Sequence, residues 1–328
     1  MELHSVCRAV RQSPLLARRG GIHGEDYRGR DSMPSIYTHQ RFGNEVEQLL
    51  PEGIRKITDA HRDLFSIGFQ GPDIFFFYHP LSWGEVPQYG NRMHELPGHE
   101  FFGRALEQYR RLPEESTAQK EFKRGAAAYL FGVLCHYALD STCHKFIDEV
   151  DASGVTTHAA LEGDYDRRLI EREGRDPVKE DVVREFRPSR QGAEAIAVFY
   201  PEMDAGIVEK AMKSCVRLQH LLYCPGDGKR NFLYGALRLL GKYESLHPHI
   251  MNKNPDPACQ EAEERLDALY QEAIPLAVQL ITDMQRSMEA IRTEHASEDV
   301  RRFVEGNEYD RNFGGIIVGE VPEQKERE

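Results

Sequence analysis

Apolar residues recur at helical spacing along most of the chain. Between residues 39 and 69, positions such as Phe42, Val46 and Leu49 lie three or four apart, and Pro51-Glu52-Gly53 interrupts the pattern, which predicts two helices. The same spacing predicts helices over residues 99–112, 117–149, 158–173, 178–187, 189–199, 203–222, 229–242 and 258–294, the last interrupted by Pro275. Strand patterns do not alternate with these helices, so the predicted fold class is mainly α, a multi-helix bundle.

One segment departs from this periodicity. The sequence GPDIFFFYHP, residues 71–80, holds an aromatic run that is too short for an ordinary helix, and a loop rich in Gly and Pro is predicted from there to about residue 98. Asp73 lies at the start of this segment, and the loop region carries His79, His94 and His99. The segment therefore offers one carboxylate and three imidazoles near a predicted helix terminus.

Two imidazoles and a carboxylate form a row on the most apolar predicted helix. His136, Asp140 and His144 occur at a spacing of four in GVLCHYALDSTCHKF, residues 132–146, so they share one helical face over about 12 Å. Ligand bonds to zinc are only about 2.0–2.2 Å long, so the first two residues can bind one ion while the third binds another, with the carboxylate as a bridge. The row therefore predicts a site with more than one metal ion.

The next predicted helix repeats the arrangement with His158 and Glu162, again four residues apart. A lone histidine on an apolar face is usually a core residue that one hydrogen bond satisfies. Five ionisable side chains on two successive helices would each need a separate buried partner, whereas divalent ions satisfy all of them together. We therefore interpret these five residues, together with Asp73, as candidate metal ligands.

The composition of the chain indicates where the protein is located and which partners it does not bind. The chain has 328 residues, 40% hydrophobic and 29% charged, and no apolar run approaches the roughly 18 residues that a membrane-spanning helix needs. Six cysteines without a CxxC pair favour reduced thiols, and the first twenty residues lack the apolar core of a secretory signal, so a cytoplasmic protein is expected. The net charge of −12 disfavours long nucleic acids as partners.

Five short sequences, taken together, resemble the zinc-dependent phospholipase C family, whose wider fold group includes single-strand zinc nucleases and glycosylphosphatidylinositol-specific phospholipase D. They are THQRFG with His39, GPDIFFFY with Asp73, RMHELPGHEFF with His94, GVLCHYALDSTCHKF with His136, Asp140 and His144, and HAALE with His158 and Glu162. The resemblance covers roughly residues 33–175 and implies the helical fold of that family.

The resemblance also implies how the ligands are shared between two or three zinc ions. The first ion would be held by Asp73, His94, His136 and Asp140, and the second by His144, His158 and Glu162. Asp140 would bridge onward to a third ion, which His39 would help to bind. Spacing alone leaves His79 and His99 open as alternatives to His94.

The third ion marks a departure from the family pattern. Its other ligands in the relatives are the amino group and carbonyl of an N-terminal tryptophan. The only tryptophan here is Trp83, and more than thirty residues precede His39. The third site is therefore either filled differently or absent.

The predicted function is a zinc-dependent phosphodiester hydrolase, similar to phospholipase C, that acts on a phospholipid or another small phosphodiester. Two zinc ions about 3.5–4 Å apart lower the pKa of a shared water toward 7, and Asp73 is the candidate catalytic residue that would orient this water or accept its proton. The alternatives are a zinc-dependent single-strand nuclease or phosphatase and a non-catalytic helical domain stabilised by metal. Ligation without cysteine favours an open, hydrolytic site.

The expected organisation is a single domain with two appendages. Residues 1–33 lack periodicity and are expected to form a disordered leader. Residues 34–295 are expected to form one helical metallohydrolase domain, with a metal-binding part over 34–175 and a helical C-terminal part over 176–295. Residues 296–328 form a charged tail, in which GGIIVGEV would dock as a short extended piece or make no contact.

Overall fold

The computed structural model describes residues 35–79, 84–290, 296–305 and 309–317. Thirteen α-helices and three 3-10 helices account for its regular structure, and these described residues contain no β-strand. The prediction of a mainly α fold is therefore confirmed. The expected leader, residues 1–33, lies outside the described residues, as does Trp83.

The helices that carry the predicted motifs occupy the first half of the chain. They are α1 (Tyr37–Leu49), α2 (Glu52–Ala60), α3 (Arg62–Gly68), a 3-10 helix (Gly71–Phe77), α4 (Glu85–Glu95), α5 (Gly98–Arg110), α6 (Thr117–Ser153) and α7 (His158–Arg172). The second half contributes a 3-10 helix (Pro177–Lys179), α8 (Arg190–Ala197), α9 (Ala205–Leu222), α10 (Asp227–Leu239), α11 (Tyr243–Leu246), a 3-10 helix (His247–His249), α12 (Gln260–Ala290) and α13 (Ala296–Glu305).

Helix α6 is the centre of the core. It is 37 residues long, and every residue from Gly125 to Ser141 is buried, because the helix is apolar on all sides and packs against α1, α3, α8 and α12. The predicted start is confirmed: Ser116 and Gln119 form a reciprocal capping box. The helix ends where Gly154 adopts a φ of 75°.

Glycines allow α3 and the following turn to approach α6 closely. A Cβ atom on Gly132 would lie 2.3 Å from the carbonyl oxygen of Phe65, so only glycine fits where the two helices meet. Gly71 has a φ of 47°, and a Cβ atom there would lie 2.5 Å from the His136 ring. These contacts bring the 3-10 helix that carries Asp73 against the middle of α6.

Helix α4 corrects the prediction of a long loop before residue 98. Pro87 lies in the first turn, where its missing N–H costs no helical hydrogen bond. Gly90 faces the 3-10 helix, where a Cβ atom would lie only 3.3 Å from Phe75. The glycine and proline residues that indicated a loop therefore lie in a helix, where the proline begins it and the glycine allows a close packing contact.

Three further predictions of local structure are wrong. Residues 39–69 contain three helices rather than two, because the chain turns again at His61. Residues 178–187 form a short 3-10 helix and turns, since Pro188 disfavours helical backbone at the residue before it. Pro275 lies inside a continuous α12, whose buried residues Ala273 and Ala277 pack in the core on either side.

None of the helices in the described ranges is both long and apolar enough to pass through a lipid bilayer.

We expect Gly132→Ala to destabilise the fold, because the new methyl group would overlap the backbone of α3. Overpacking of this kind costs about 1–3 kcal/mol of unfolding free energy, and urea denaturation measures it. The matched control is Gly235→Ala in α10, where a Cβ atom would meet open space. There the higher helix propensity of alanine should stabilise the protein by up to about 1 kcal/mol. Equal effects of the two substitutions would contradict the packing described here.

Candidate metal centre

Seven side chains form two groups of candidate metal ligands in the described part of the chain. The first group consists of Asp73, His94, His136 and Asp140, and the second group of His144, His158 and Glu162. Within each group, one ligand atom from every residue lies within 4.8 Å of the others. The two groups coincide with the two ligand sets that the family resemblance implies.

The first group is assembled from three elements that meet at the middle of α6. The 3-10 helix supplies Asp73, whose Oδ1 lies 2.6 Å from Nε2 of His94 at the end of α4. Helix α6 supplies His136 and Asp140, with 3.2 Å between the imidazole Nε2 and the carboxylate Oδ2. The second Asp73 oxygen lies 4.0 Å from Nε2 of His136. Two carboxylates and two imidazoles thus face a common point.

Backbone carbonyl groups orient the two imidazoles of the first group. Nδ1 of His136 donates to the carbonyl oxygen of Phe69 at 3.2 Å, and Nδ1 of His94 donates to that of Gly90 at 2.8 Å. A carbonyl oxygen can only accept, so the proton of a neutral ring lies on Nδ1 and the lone pair lies on Nε2. Nε2 of His136 therefore presents a lone pair to the centre of the group, as metal-binding histidines do, and Nε2 of His94 would do the same once it gave up the proton that it shares with Asp73.

The first group fits a divalent ion because one of its nitrogens is otherwise unsatisfied. His136 is fully buried, and its Nε2 has no hydrogen-bond partner among the described residues. An orphaned buried polar atom costs about 1–3 kcal/mol. Burial also holds the pKa of His136 well below its usual value, so the ring is neutral, which is the form that binds metal.

The second group lies between α6 and α7. Nε2 of His158 is 3.2 Å from Oε1 of Glu162, and Nε2 of His144 is 3.5 Å from the same oxygen. The other His158 nitrogen, Nδ1, lies 3.1 Å from Oδ1 of Asp148. Thr157 caps the start of α7, because its side-chain oxygen accepts a hydrogen bond from the backbone N–H of Ala160, and His158 is the first residue of the helix.

In the metal-free protein, interactions between charges outweigh burial in setting the pKa values of His158 and Glu162. Burial alone would lower the pKa of His158, but the carboxylates of Glu162 and Asp148 outweigh it and raise this pKa to about 10. Burial alone would raise the pKa of Glu162, but His158 and His144 hold it well below its usual range. The metal-free second group is therefore an ion pair, and a metal ion would have to displace a proton from His158.

Asp140 connects the two groups and His39. Its Oδ1 lies 3.2 Å from Nε2 of His39 and 3.7 Å from Nε2 of His144, while its Oδ2 faces His136. Burial lowers the pKa of His39 to about 4, so this imidazole is neutral at physiological pH. The Asp140 carboxylate therefore lies between the two groups, with His39 beside its Oδ1.

The structure separates the alternative histidines from the first group. His79 is exposed, with Nε2 2.6 Å from Nζ of Lys210. His99 lies at the start of α5, and its Nδ1 is 3.3 Å from the carbonyl oxygen of Tyr309. The residue that reaches Asp73 is His94. In the aromatic run, Phe75 and Phe77 are core residues, and Phe76 packs on the His94 ring with 5.4 Å between the centroids.

Two carboxylates that support the site were not among the predicted residues. Asp148 orients His158, and Asp166 accepts hydrogen bonds from the backbone N–H groups of Tyr37 and Thr38 at 3.2 and 2.8 Å, which caps the helix that carries His39. The signal was present in the sequence, because Asp148 follows His144 by four residues and Asp166 follows Glu162 by four. Both rows of ligands thus continue into the residues that position them.

The C-terminal segment, residues 309–317, covers the first group from outside. The Phe313 ring is buried, with its centroid 5.7 Å from that of His94 and 5.8 Å from that of His136. The carbonyl oxygen of Arg311 accepts from the N–H of Gly98 at 2.8 Å and from the hydroxyl of Tyr137 at 3.0 Å. The part of GGIIVGEV that the structure describes, residues 314–317, turns against α6. This segment is therefore a wall of the candidate metal centre.

Imidazoles and carboxylates that converge between buried helices, without cysteine, form a set of donors typical of hydrolytic metal centres. A family model described as zinc dependent phospholipase C matches residues 38–214, which is more than half of the chain. The chain therefore belongs to the zinc-dependent phospholipase C family, and membership implies a hydrolase. No curated protein and no solved structure matches the chain.

Zinc binding to the second group should release a proton. The pKa of His158 is about 10 in the metal-free protein, so the ring is protonated at pH 7.5 and must lose a proton before Nε2 can bind. The apparent zinc affinity of this group should rise with pH up to about 10 and then level off. Titration calorimetry at pH 7.5 in buffers of different ionisation heat should show about one more proton released than in His158→Gln. Equal proton release from both proteins would contradict the charge state described above.

Phe313→Ala should destabilise the fold and weaken metal binding by the first group, because it removes the ring that packs on His94 and His136. A phenylalanine deletion in a core costs about 3–5 kcal/mol of unfolding free energy, and urea denaturation measures it. Competition with a chromogenic chelator should show faster metal loss from the variant. Phe313→Leu, which keeps an apolar side chain, is the matched control and should behave nearly as the parent does. Unchanged stability and metal retention in Phe313→Ala would show that the segment is not a wall of the site.

Proposed function

We propose that this chain is a phospholipase C-like hydrolase of phosphodiesters that works with two or three zinc ions. The observation that carries the proposal is the position of Asp140, one carboxylate that faces candidate ligands of both groups and His39. A bridging carboxylate of this kind is what holds neighbouring metal ions close enough to act on one phosphoryl group. Family membership supports the same reaction class.

The proposal assigns a role to each candidate ligand set. Zinc, when bound, would supply Lewis acidity toward phosphoryl oxygens and would lower the pKa of a water molecule. The first ion would be held by Asp73, His94, His136 and Asp140, and the second by His144, His158 and Glu162. His39 and Asp140 would serve a third ion. Phe69, Gly90 and Asp148 would keep the imidazoles in the orientation that these contacts require.

Asp73 is the proposed catalytic residue. Burial alone would raise its pKa, but the neighbouring His94 imidazole outweighs burial and holds the pKa of this carboxyl below its usual value. A carboxylate with a lowered pKa is a weak base but a good hydrogen-bond acceptor. Its role would therefore be to orient the attacking water with one oxygen while the other remains near His94.

A cavity beside Glu162 offers room for a substituent of the phosphodiester. It is bounded by Glu162 and Gly163 of α7, by Val178, by Leu222 at the end of α9, and by Pro248. Its lining mixes apolar and acidic side chains, which suits part of a small organic substrate better than a polyanion. We accordingly propose a lipid head group or another small phosphodiester as the substrate.

A cytoplasmic location belongs to the same proposal. The five cysteines in the described ranges, Cys135, Cys143, Cys215, Cys224 and Cys259, are all free and buried. Free thiols in this number favour a reducing compartment. Reagents that detect exposed thiols in the folded protein would react with few of them.

The purified protein should hydrolyse a chromogenic phosphodiester or phosphatidylcholine, and a chelator should stop it until zinc is added back. Asp140→Ala should abolish the activity, because it removes the shared carboxylate. Asp148→Asn should lower activity or zinc affinity about 10- to 100-fold, the usual cost of losing a group that orients a ligand. The matched control is Glu149→Gln, its exposed neighbour on α6, which should leave both unchanged.

Two results would contradict the proposal. Preferential cleavage of single-stranded DNA would replace a small-substrate hydrolase with a nuclease. Zinc binding without turnover of any of these substrates would leave a domain that metal merely stabilises.

A further inference from the structure

Helix α10 presents apolar side chains to solvent on the face opposite to the core. Of the described large hydrophobic residues that are exposed, the three most exposed are Phe232 at 77%, Leu239 at 89% and Leu240 at 71%. Leu221 in the last turn of α9 is also exposed. Single exposed hydrophobic residues are normal in proteins, but a cluster of large ones indicates an interaction site.

The apolar residues form one stripe along α10. Phe232 and Leu239 are seven residues apart, close to two helical turns, so they project from the same side of the helix. Gly235 lies between them, and a Cβ atom there would meet open space, so nothing within the stripe interrupts access. Leu240 directly follows the helix and continues the stripe at its end.

The orientation of α10 is fixed from its other face. Leu237 is buried in the core, and the buried guanidinium of Arg230 donates to the carbonyl oxygens of Cys224 at 3.0 Å and Met251 at 2.9 Å. Two hydrogen bonds from one buried cation hold the helix against the loops on both of its sides. The exposed stripe is therefore a stable feature of the fold.

Cations flank the stripe, although the chain as a whole carries a net charge of −12. Lys229, Arg238 and Lys242 are all exposed. Neither Lys229 nor Arg238 pairs with a described carboxylate: Lys229 donates to the carbonyl oxygens of His220 and Tyr223, and Arg238 lies over the Tyr243 ring. The acidic residue at the start of α10, Asp227, is already paired with Lys253. A local positive charge beside apolar side chains matches an anionic membrane surface.

The segments on either side of α10 and α11 line the proposed substrate cavity. Leu222, Tyr223 and Cys224, which lead into α10, line the cavity, and so do Pro248 and Met251 on the far side of α11. Glu162 of the second group lines the same cavity. Arg230, on the buried face of α10, donates to the carbonyl oxygens of Cys224 and Met251, so the cavity lies on the core side of α10 and the stripe on its outer side.

We propose that the exposed face of α10, formed by Phe232, Leu239, Leu240 and the flanking cations, docks the protein on the surface of an anionic lipid bilayer. Phe232 and the two leucines enter the boundary between head groups and acyl chains, and Lys229, Arg238 and Lys242 contact lipid phosphates. The inference rests on the proposed function, since an enzyme that acts on a phospholipid must reach a bilayer. Helix α10 lies outside the range that the family model matches, residues 38–214.

Vesicle sedimentation with the full-length protein tests the surface. Vesicles of phosphatidylcholine with phosphatidylglycerol should bind the protein more tightly than vesicles of phosphatidylcholine alone, and high salt should reduce the difference. The triple variant Phe232→Gln, Leu239→Gln, Leu240→Gln should bind the anionic vesicles at least ten-fold more weakly. Arg238→Gln should bind them several-fold more weakly at low salt. Circular dichroism should show that both variants keep the parent fold.

The matched control is the double variant Leu49→Gln, Val155→Gln, which removes two exposed hydrophobic residues elsewhere on the surface. It should bind vesicles as the parent does. Equal binding by the triple variant and the parent would overturn the proposal. So would a dimer that the triple variant dissociates without any change in vesicle binding, because a second copy of the chain would then be the partner of the stripe.

The rate on a water-soluble chromogenic phosphodiester separates this proposal from the proposed function. The triple variant should keep the parent rate on the soluble diester and lose rate only on vesicles. Loss of vesicle binding in a protein that hydrolyses no diester would leave the docking surface standing and reject the enzyme. Zinc-dependent hydrolysis by a parent protein that does not bind vesicles would reject the docking surface and leave the enzyme standing.

Discussion

The structure depends on burying ionisable side chains on its most apolar helix. His136 and Asp140 of α6 are at most 1% exposed, and a polar group in such a place must find partners or lose stability. In the second group, the protonated His158 ring lies between the carboxylates of Glu162 and Asp148. In the first group, Asp73 and His94 form a close pair, but Nε2 of His136 has no hydrogen bond from any described residue. A divalent ion is the partner that this arrangement fits.

The rest of the fold holds these side chains in place. Glycine contacts bring the segment with Asp73 against α6, and Asp166 caps the helix that carries His39. The C-terminal segment adds the Phe313 ring, which limits how His94 and His136 can move. Each support joins residues far apart in the chain, so the site exists only when most of the described fold has formed. The cavity at Glu162 is also lined by the residues that precede α10. Apolar and cationic side chains of α10 face solvent on the outer side of that helix.

Local patterns in the sequence predicted the parts of the site that lie along single helices. A spacing of four placed His136, Asp140 and His144 on one face of α6, and it placed His158 and Glu162 on one face of α7. The same spacing contained Asp148 and Asp166, but their roles depend on the distance between helices, which spacing does not give. The sequence did not reveal helix α4, because Pro87 and Gly90 usually indicate a loop. Here Pro87 lies in the first turn and Gly90 packs against the 3-10 helix, so neither residue interrupts the helix. Phe313 could not be predicted, because its contact with His94 spans more than two hundred residues of chain.

The central claim is that both groups of imidazoles and carboxylates hold divalent ions and share Asp140. Crystals of the protein grown with zinc, measured on both sides of the zinc absorption edge, test this directly. The account predicts one anomalous peak between Asp73, His94, His136 and Asp140, and another between His144, His158 and Glu162. An anomalous map without a peak at either position, in crystals that contain zinc, would contradict it.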